Sequence, residues 1–184
     1  MLKYIFYIKN KFFKFSKNYL NIKKNLYFKN IIISHLVNYE NISFNNDFYF
    51  GNLGRKIDKK KTLIVLIDHI KLKKNKIKKK LIGNYIVLSQ NLGFIKEIDI
   101  HTACLFRIIT KEKIKFNLSN YLNLVASKRV FEQIKKVLSL YDPKNLIFTF
   151  EGNLYEGFIV NHIKRESLNI QTCGYQFGII KKKQ

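Results

Sequence analysis

The sequence has few of the residues that build disulfide-linked, zinc-binding or collagen-like proteins. Its 184 residues include two cysteines, one proline, eight glycines and no tryptophan. Two cysteines and four scattered histidines are too few for a disulfide scaffold or a zinc finger. The scarcity of proline and glycine excludes a collagen-like or low-complexity chain. The longest apolar runs, such as Leu63–Ile67, are far shorter than the roughly 20 residues that a membrane-spanning helix needs.

Acidic residues are also scarce, and this gives the chain a strongly positive charge. There are 12 acidic against 35 basic residues, for a net charge of +23. Such a charge is the usual footprint of nucleic-acid binding. However, lysine far exceeds arginine, which is the better residue for phosphate and base recognition. An AT-rich genome, which favours Lys, Asn, Ile, Phe and Tyr codons, explains the charge at least as well, so we do not expect nucleic acid to be the main partner.

The length and the apolar content predict one ordinary domain after a distinctive leading segment. Apolar residues make up 47% of the chain, which excludes a disordered tail. Residues 1–30 alternate lysines with aromatic residues, and two interpretations remain open for them. They form a poorly packed leading helix or a helix over an edge of the domain, or else an interfacial helix on an anionic membrane. In each case we expect them to contribute little to the core. Residues 31–184 then form the domain, which we expect to be truncated at its carboxyl end.

Short β-branched runs alternate with helical patterns along this domain. The predicted strands are Ile31–Val37, Thr62–Ile67, Tyr85–Leu88, Leu146–Phe150 and Ile170–Gly174. One predicted helix starts at Phe94 and buries a stripe of Phe94, Ile98, His101, Cys104 and Leu105. A second spans about Ser119–Leu140, with a break near Ser127 as an alternative, and a third spans Leu154–Glu166. This alternation predicts an α/β fold with a Rossmann-like, open, mainly parallel sheet and flanking helices.

The end of the strand before Glu151 is the most informative place for a site. Gly152 makes the turn and a helix starts near Leu154, so Glu151 lies where open α/β sheets bind ligands. Glu156 falls in the first turn of that helix, and both carboxylates are equally well explained as helix caps.

Three further positions join Glu151 in the predicted site. The next strand leads to Gln176, which we expect on one rim with Glu151, where the pair could bind sugar hydroxyls and Glu151 could act as a general base. Asp68 and His69, at another strand end, are further candidates, with a solvated loop as the plainer interpretation. There is no Walker A loop and no Gly-x-Gly-x-x-Gly, and we predict neither a cofactor nor a metal.

These segments carry a resemblance to a known family. Residues 149–156 and 169–176 resemble a paired motif of bacterial capsule and lipopolysaccharide biosynthesis proteins, which are GT-B-like glycosyltransferases. The family pattern reads Thr-Tyr/Phe-Glu-Gly/Asn-x-x-Trp-Glu and then Ile-Gly-Tyr-Gln-His. The matching positions are Glu151, Glu156, Gly174, Tyr175 and Gln176. Tyr155 replaces the tryptophan and Phe177 replaces the histidine, and the resemblance covers about residues 145–177.

The resemblance implies the amino-terminal, acceptor-side half of a two-domain enzyme in the cytoplasm. Together with the strand-end positions described above, this predicts Glu151 as the catalytic residue and Glu156, Tyr175, Gln176, Asp68 and His69 as substrate-binding residues. The acceptor would be a sugar, in one alternative lipid-linked and reached by peripheral contact with the inner face of the membrane. A nucleotide-sugar donor would bind only if a second domain exists, and without that domain we expect no transferase activity.

Two other functions compete with this interpretation. The first is a basic nucleic-acid-binding module, such as a divergent organellar ribosomal protein, which would account for the charge and the basic aromatic leading segment. The second is a non-catalytic remnant. The sequence names neither the sugars nor the oligomeric state.

Overall fold

The computed structural model describes residues 19–21, 27–37, 49–51, 53–70, 84–110 and 117–176, and the structural statements below concern these residues. Most of the leading segment lies outside this part of the chain, as does Phe177. The interpretations offered for residues 1–18 therefore stay predictions.

Six strands form one sheet, and five of them run parallel. The strands are β1 (Tyr19–Asn21), β2 (Asn30–Leu36), β3 (Thr62–Asp68), β4 (Tyr85–Val87), β5 (Asn145–Thr149) and β6 (Gln171–Tyr175). Their order is β1-β4-β3-β2-β5-β6, and β1 alone pairs antiparallel to its neighbour, β4. The parallel part has the strand order of a doubly wound sheet. The order in which successive strands are added reverses at the boundary between β2 and β5. The predicted α/β, Rossmann-like fold class is confirmed.

Four helices accompany the sheet in the described part of the chain. They are α1 (Leu53–Lys56), α2 (Phe94–Thr110), α3 (Leu118–Tyr141) and α4 (Leu154–Arg165). The side chain of Asn117 caps the start of α3 by accepting the Ser119 N–H. At the other end Asp142 takes a left-handed conformation with φ of 40°, and Pro143 follows. Because α3 is continuous between these two caps, the alternative of a break near Ser127 is wrong.

The buried stripe of α2 also differs from the prediction. The buried residues are Glu97, Ile100 and Cys104, whereas Phe94, Ile98 and Leu105 are exposed. Apolar residues occur around most of this helix, so their spacing alone does not select one face. The selection comes from α3, against which Ile100 and Cys104 pack through Val125.

Each face of the sheet has its own core, because successive residues of a strand point to opposite sides. Ile31, Ile33 and Phe148 pack on one face against α3 and α4. Ile32 and Leu66 pack on the other face against Phe50.

Part of the leading segment belongs to this fold. Phe28 is completely buried in the larger core, and its ring meets that of Tyr141 edge-on at 5.1 Å. β1 also lies within residues 1–30 and closes one edge of the sheet. The expectation that these residues contribute little to the core is therefore wrong for Phe28.

Candidate functional site

The centre of the candidate site is the place where the strand order reverses. His35, near the carboxyl end of β2, and Thr149, at the carboxyl end of β5, lie on either side of this switch point and are both buried. Ligands of open α/β sheets bind in the crevice outside these strand ends.

Hydrogen bonds join His35 to both sides of the crevice. Its Nδ1 lies 2.8 Å from Nε2 of His69, just beyond the end of β3. Its Nε2 lies 3.0 Å from the hydroxyl of Tyr155, in the first turn of α4. The hydroxyl of Thr149 is 3.1 Å from the same Nε2. A buried imidazole thus connects the phenol of Tyr155 to the exposed ring of His69.

The protons in the hydrogen bonds that link Tyr155, His35 and His69 can be arranged in two ways. Burial, reinforced by the neighbouring His69, lowers the pKa of His35 from 6.5 to about 4, so His35 is neutral near pH 7. In one form Tyr155 donates to His35 Nε2, and His35 Nδ1–H donates to His69. In the other form His69 donates to Nδ1, and His35 Nε2–H donates to a hydroxyl oxygen. Burial raises the pKa of Tyr155, so the phenol keeps its proton in both forms.

A cleft of about 690 Å³ opens next to this chain of hydrogen bonds. The ends of β2 and β3, the loop after β4, the middle of α3 and the start of α4 line it. Many of the lining side chains are amides or hydroxyls, namely Ser89, Gln90, Asn91, Asn123, Ser127 and Asn153. Such groups both donate and accept hydrogen bonds without carrying charge.

The charges at the cleft largely cancel. Arg129 is the sole lysine or arginine among these lining residues, and Asp68 is the sole carboxylate. Arg129 is already bound to buried Glu97 by two hydrogen bonds, Nε to Oε1 at 2.8 Å and Nη2 to Oε2 at 2.6 Å. Burial by itself raises the pKa of Glu97, but the Arg129 hydrogen bonds and charge, with the Leu92 N–H, hold it below its usual range. The lining that the structure describes therefore carries little net charge in a chain of +23.

The start of α4 is held by a carboxylate from its own first turn. Glu156, 1% exposed, accepts hydrogen bonds from the backbone N–H groups of Glu151, Gly152 and Asn153 at 3.0–3.2 Å. The side-chain amide of Asn153 donates to the same carboxylate at 2.9 Å. Gly152 makes the turn with φ of 83°, a left-handed value that favours glycine. The capping interpretation of Glu156 thus accounts for its position.

The structure brings only some of the predicted site residues to the cleft. Asp68 and His69 line it. Glu151, Tyr175 and Gln176 are exposed and are not among its lining residues. Tyr175 pairs with Thr149 in the sheet, and its ring lies 5.5 Å from that of Phe50, which belongs to the core on the opposite face. The expected rim of Glu151 with Gln176 and Tyr175 is thus not part of this cleft, and the base role of Glu151 stays a prediction.

Sequence reasoning did not single out the residues at the centre of the site. The sequence patterns place His35 and Thr149 in strands and Tyr155 at the position of a tryptophan, and they predict no site role for these residues. One signal was present: Ser34 and His35 interrupt the apolar run of β2 close to its carboxyl end. A polar pair at that end of a central strand indicates a crevice-facing position.

Comparisons of this protein with family models, curated proteins and solved structures find no match. Within the described part of the chain, no three or more His, Cys, Asp or Glu residues are grouped so that they could hold a metal ion. No helix in that part is long and apolar enough to cross a membrane.

Proposed function

We propose that the chain is the acceptor-side domain of a glycosyltransferase-like protein of surface-polysaccharide biosynthesis, and that the switch-point cleft binds the sugar acceptor. The observation that carries the proposal is that the described lining of this cleft is nearly neutral and rich in hydrogen-bonding groups, although the chain is strongly cationic. The resemblance of residues 145–177 to that family supports the same function, and residues 152–155 of this stretch line the cleft.

The lining chemistry matches a sugar better than a nucleic acid. Sugar hydroxyls donate and accept, and so do the amides of Asn123 and Asn153 and the hydroxyl of Ser127. A groove for nucleic acid instead needs several lysines or arginines that contact phosphates. Arg129, the one such residue in the lining, is neutralised by Glu97.

The start of α4 favours an acceptor over a nucleotide. Rossmann-like domains hold the phosphates of a nucleotide at the amino end of a helix beside the switch point. Here the carboxylate of Glu156 already takes the N–H groups at that position. Its negative charge would also repel a phosphate, which supports placing the nucleotide-sugar donor on a second domain.

The acceptor hydroxyl must lose its proton as its oxygen bonds to the donor sugar, while the nucleotide leaves with the electrons of the broken bond. His69 is the imidazole exposed at the cleft, and His35 links it to Tyr155. Histidine is the most frequent general base in enzymes. His69 is therefore the candidate base at this cleft, whereas Glu151, the base predicted from the sequence, is not among the lining residues. A lipid-linked acceptor would place this reaction on the cytoplasmic side of a membrane.

Sugar binding by the full-length chain tests the proposal. Saturation-transfer NMR with a panel of methyl glycosides should show binding of at least one sugar, and Asn123→Ala should weaken it several-fold. Asn161→Ala, which replaces an exposed asparagine of α4 outside the lining, should leave binding unchanged.

Two results would count against the proposal. One is that none of the sugars binds. The other is submicromolar binding to generic RNA that falls steeply with salt, which would favour the nucleic-acid-binding alternative.

A further inference from the structure

The face of α2 that points away from α3 is apolar and exposed. Ile95, Phe106 and Ile109 are 75%, 68% and 73% exposed, and Ile98 and Leu105 are 43% and 40% exposed. We call these five residues the α2 face. The site described above does not use them, since none of them lines the cleft.

The five residues of the α2 face lie along one side of the helix, with exposed Thr102 between Ile98 and Leu105. At 100° per residue its five side chains fall within an arc of about 100°. The buried residues of the same helix, Glu97, Ile100 and Cys104, occupy the opposite arc and pack toward α3. From Ile95 to Ile109 the face extends over a length of about 21 Å. Large apolar side chains along a single surface helix mark an interaction site rather than scattered exposure.

We infer that the α2 face docks on an anionic lipid surface. A helix that lies in the interface between lipid and water buries apolar side chains among the acyl chains, and nearby cations bind the lipid phosphates. Lys96 and Arg107 are exposed on the side of α2 between this face and the buried residues, and exposed Asp99 lies beside the face. Lys111, Lys113 and Lys115 follow directly after α2 in the sequence.

The overall charge favours an anionic lipid surface over a second copy of the chain as the partner of the α2 face. Two chains of +23 each repel one another, whereas the same charge draws the chain to anionic lipid. The inference is independent of the sugar cleft, because it concerns a different surface and a different ligand.

Vesicle co-sedimentation of the full-length chain tests the inference. Vesicles of phosphatidylglycerol and phosphatidylcholine should bind the chain at least about tenfold more tightly than pure phosphatidylcholine vesicles. The triple variant Ile95→Gln, Phe106→Gln, Ile109→Gln should lose about tenfold or more in affinity for the anionic vesicles. Because all three residues are more than two-thirds exposed and glutamine is a good helix former, the variant should keep its circular dichroism spectrum and its unfolding midpoint.

A matched variant keeps the test specific to α2. Leu140, at the far end of α3, is 63% exposed, and Leu140→Gln should bind anionic vesicles as the unchanged chain does.

Four results would overturn the inference. The chain could fail to bind anionic vesicles, or it could bind both vesicle types equally well. The triple variant could bind as the unchanged chain does, which would assign any binding to another segment, such as residues 1–30. Light scattering could instead show a dimer that the triple variant converts to a monomer, which would make a second copy the occupant.

Discussion

Nδ1 of His35 lies 2.8 Å from Nε2 of His69, so a buried imidazole of β2 is hydrogen-bonded to an exposed imidazole at the end of β3. Two nitrogens at this distance share one hydrogen, and the other nitrogen of His35 faces Tyr155 and Thr149. The exposed ring is therefore linked by hydrogen bonds to side chains that are almost completely buried.

The first prediction concerns the stability of the fold in acid. His35 has a pKa of about 4 in the folded chain and about 6.5 when unfolded, so the unfolded chain takes up this proton first. The contribution of His35 to stability is complete above pH 6.5 and is lost as the pH falls to about 4, by roughly 3 kcal/mol in total. Urea unfolding at a series of pH values should show this loss in the unchanged chain and a shallower slope in His35→Gln. Equal slopes in the two proteins would contradict the prediction.

The fold could be predicted because its signals are local. Thr62–Asp68 is a continuous apolar run bounded by polar residues, which is typical of a strand buried on both faces. Pro143 and the helix-permissive residues before it define the end of α3. The buried side of α2 could not be predicted from local signals, because α2 is apolar over most of its surface. Which side is buried depends on the residues of α3 that pack against it.

The site could be predicted only in part because it depends on the order of the strands. His35 and His69 are 34 positions apart, and His35 and Tyr155 are 120 apart. They meet because β2 lies between β3 and β5, and no single segment encodes that order. Asp68 and His69 could be found because a strand end is a local signal, whereas the packing of Tyr175 against Phe50 of the opposite core depends on how distant segments come together.

The second prediction concerns the pair formed by Glu97 and Arg129. Glu97 is 7% exposed and binds Arg129 through two hydrogen bonds, so Glu97→Gln should destabilise the fold by about 2 kcal/mol. Because the pairing lowers the pKa of Glu97, this contribution is present above the usual carboxyl pKa and is lost as the pH falls below it. Glu132→Gln, which breaks a more exposed pair with Lys128, should cost less than about 1 kcal/mol. Equal losses of unfolding free energy for Glu97→Gln and Glu132→Gln in chemical unfolding would contradict the prediction.

The third prediction separates the two carboxylates of the turn between β5 and α4. Glu156 accepts three backbone N–H groups while almost fully buried, so Glu156→Gln should destabilise the fold by about 1–2 kcal/mol. Glu151→Gln, at an exposed position, should stay within about 0.5 kcal/mol of the unchanged chain. A larger loss for Glu151→Gln in urea unfolding would mean that Glu151 has a structural role.

The fourth prediction concerns the base, and it applies to a transfer-competent enzyme that contains this chain and a donor-binding domain. His69→Gln should lower the transfer rate by roughly 10²-fold or more with nearly unchanged acceptor binding. Glutamine can form hydrogen bonds but cannot act as a base for the acceptor hydroxyl. Glu151→Gln should have a milder effect if that carboxylate only orients the acceptor. A rate loss confined to Glu151→Gln would restore the base predicted from the sequence.

The fifth prediction is that nucleoside diphosphates bind poorly to this chain. The backbone N–H groups that would hold a diphosphate at the start of α4 already bind the carboxylate of Glu156, and this carboxylate repels a second anion. Isothermal titration with uridine or adenosine diphosphate at physiological salt should therefore give a Kd weaker than about 1 mM. Salt matters here, because a chain of +23 attracts any anion weakly at low ionic strength. Submillimolar binding that Asn153→Ala abolishes would place the nucleotide in the cleft and assign the chain to the donor side of the reaction.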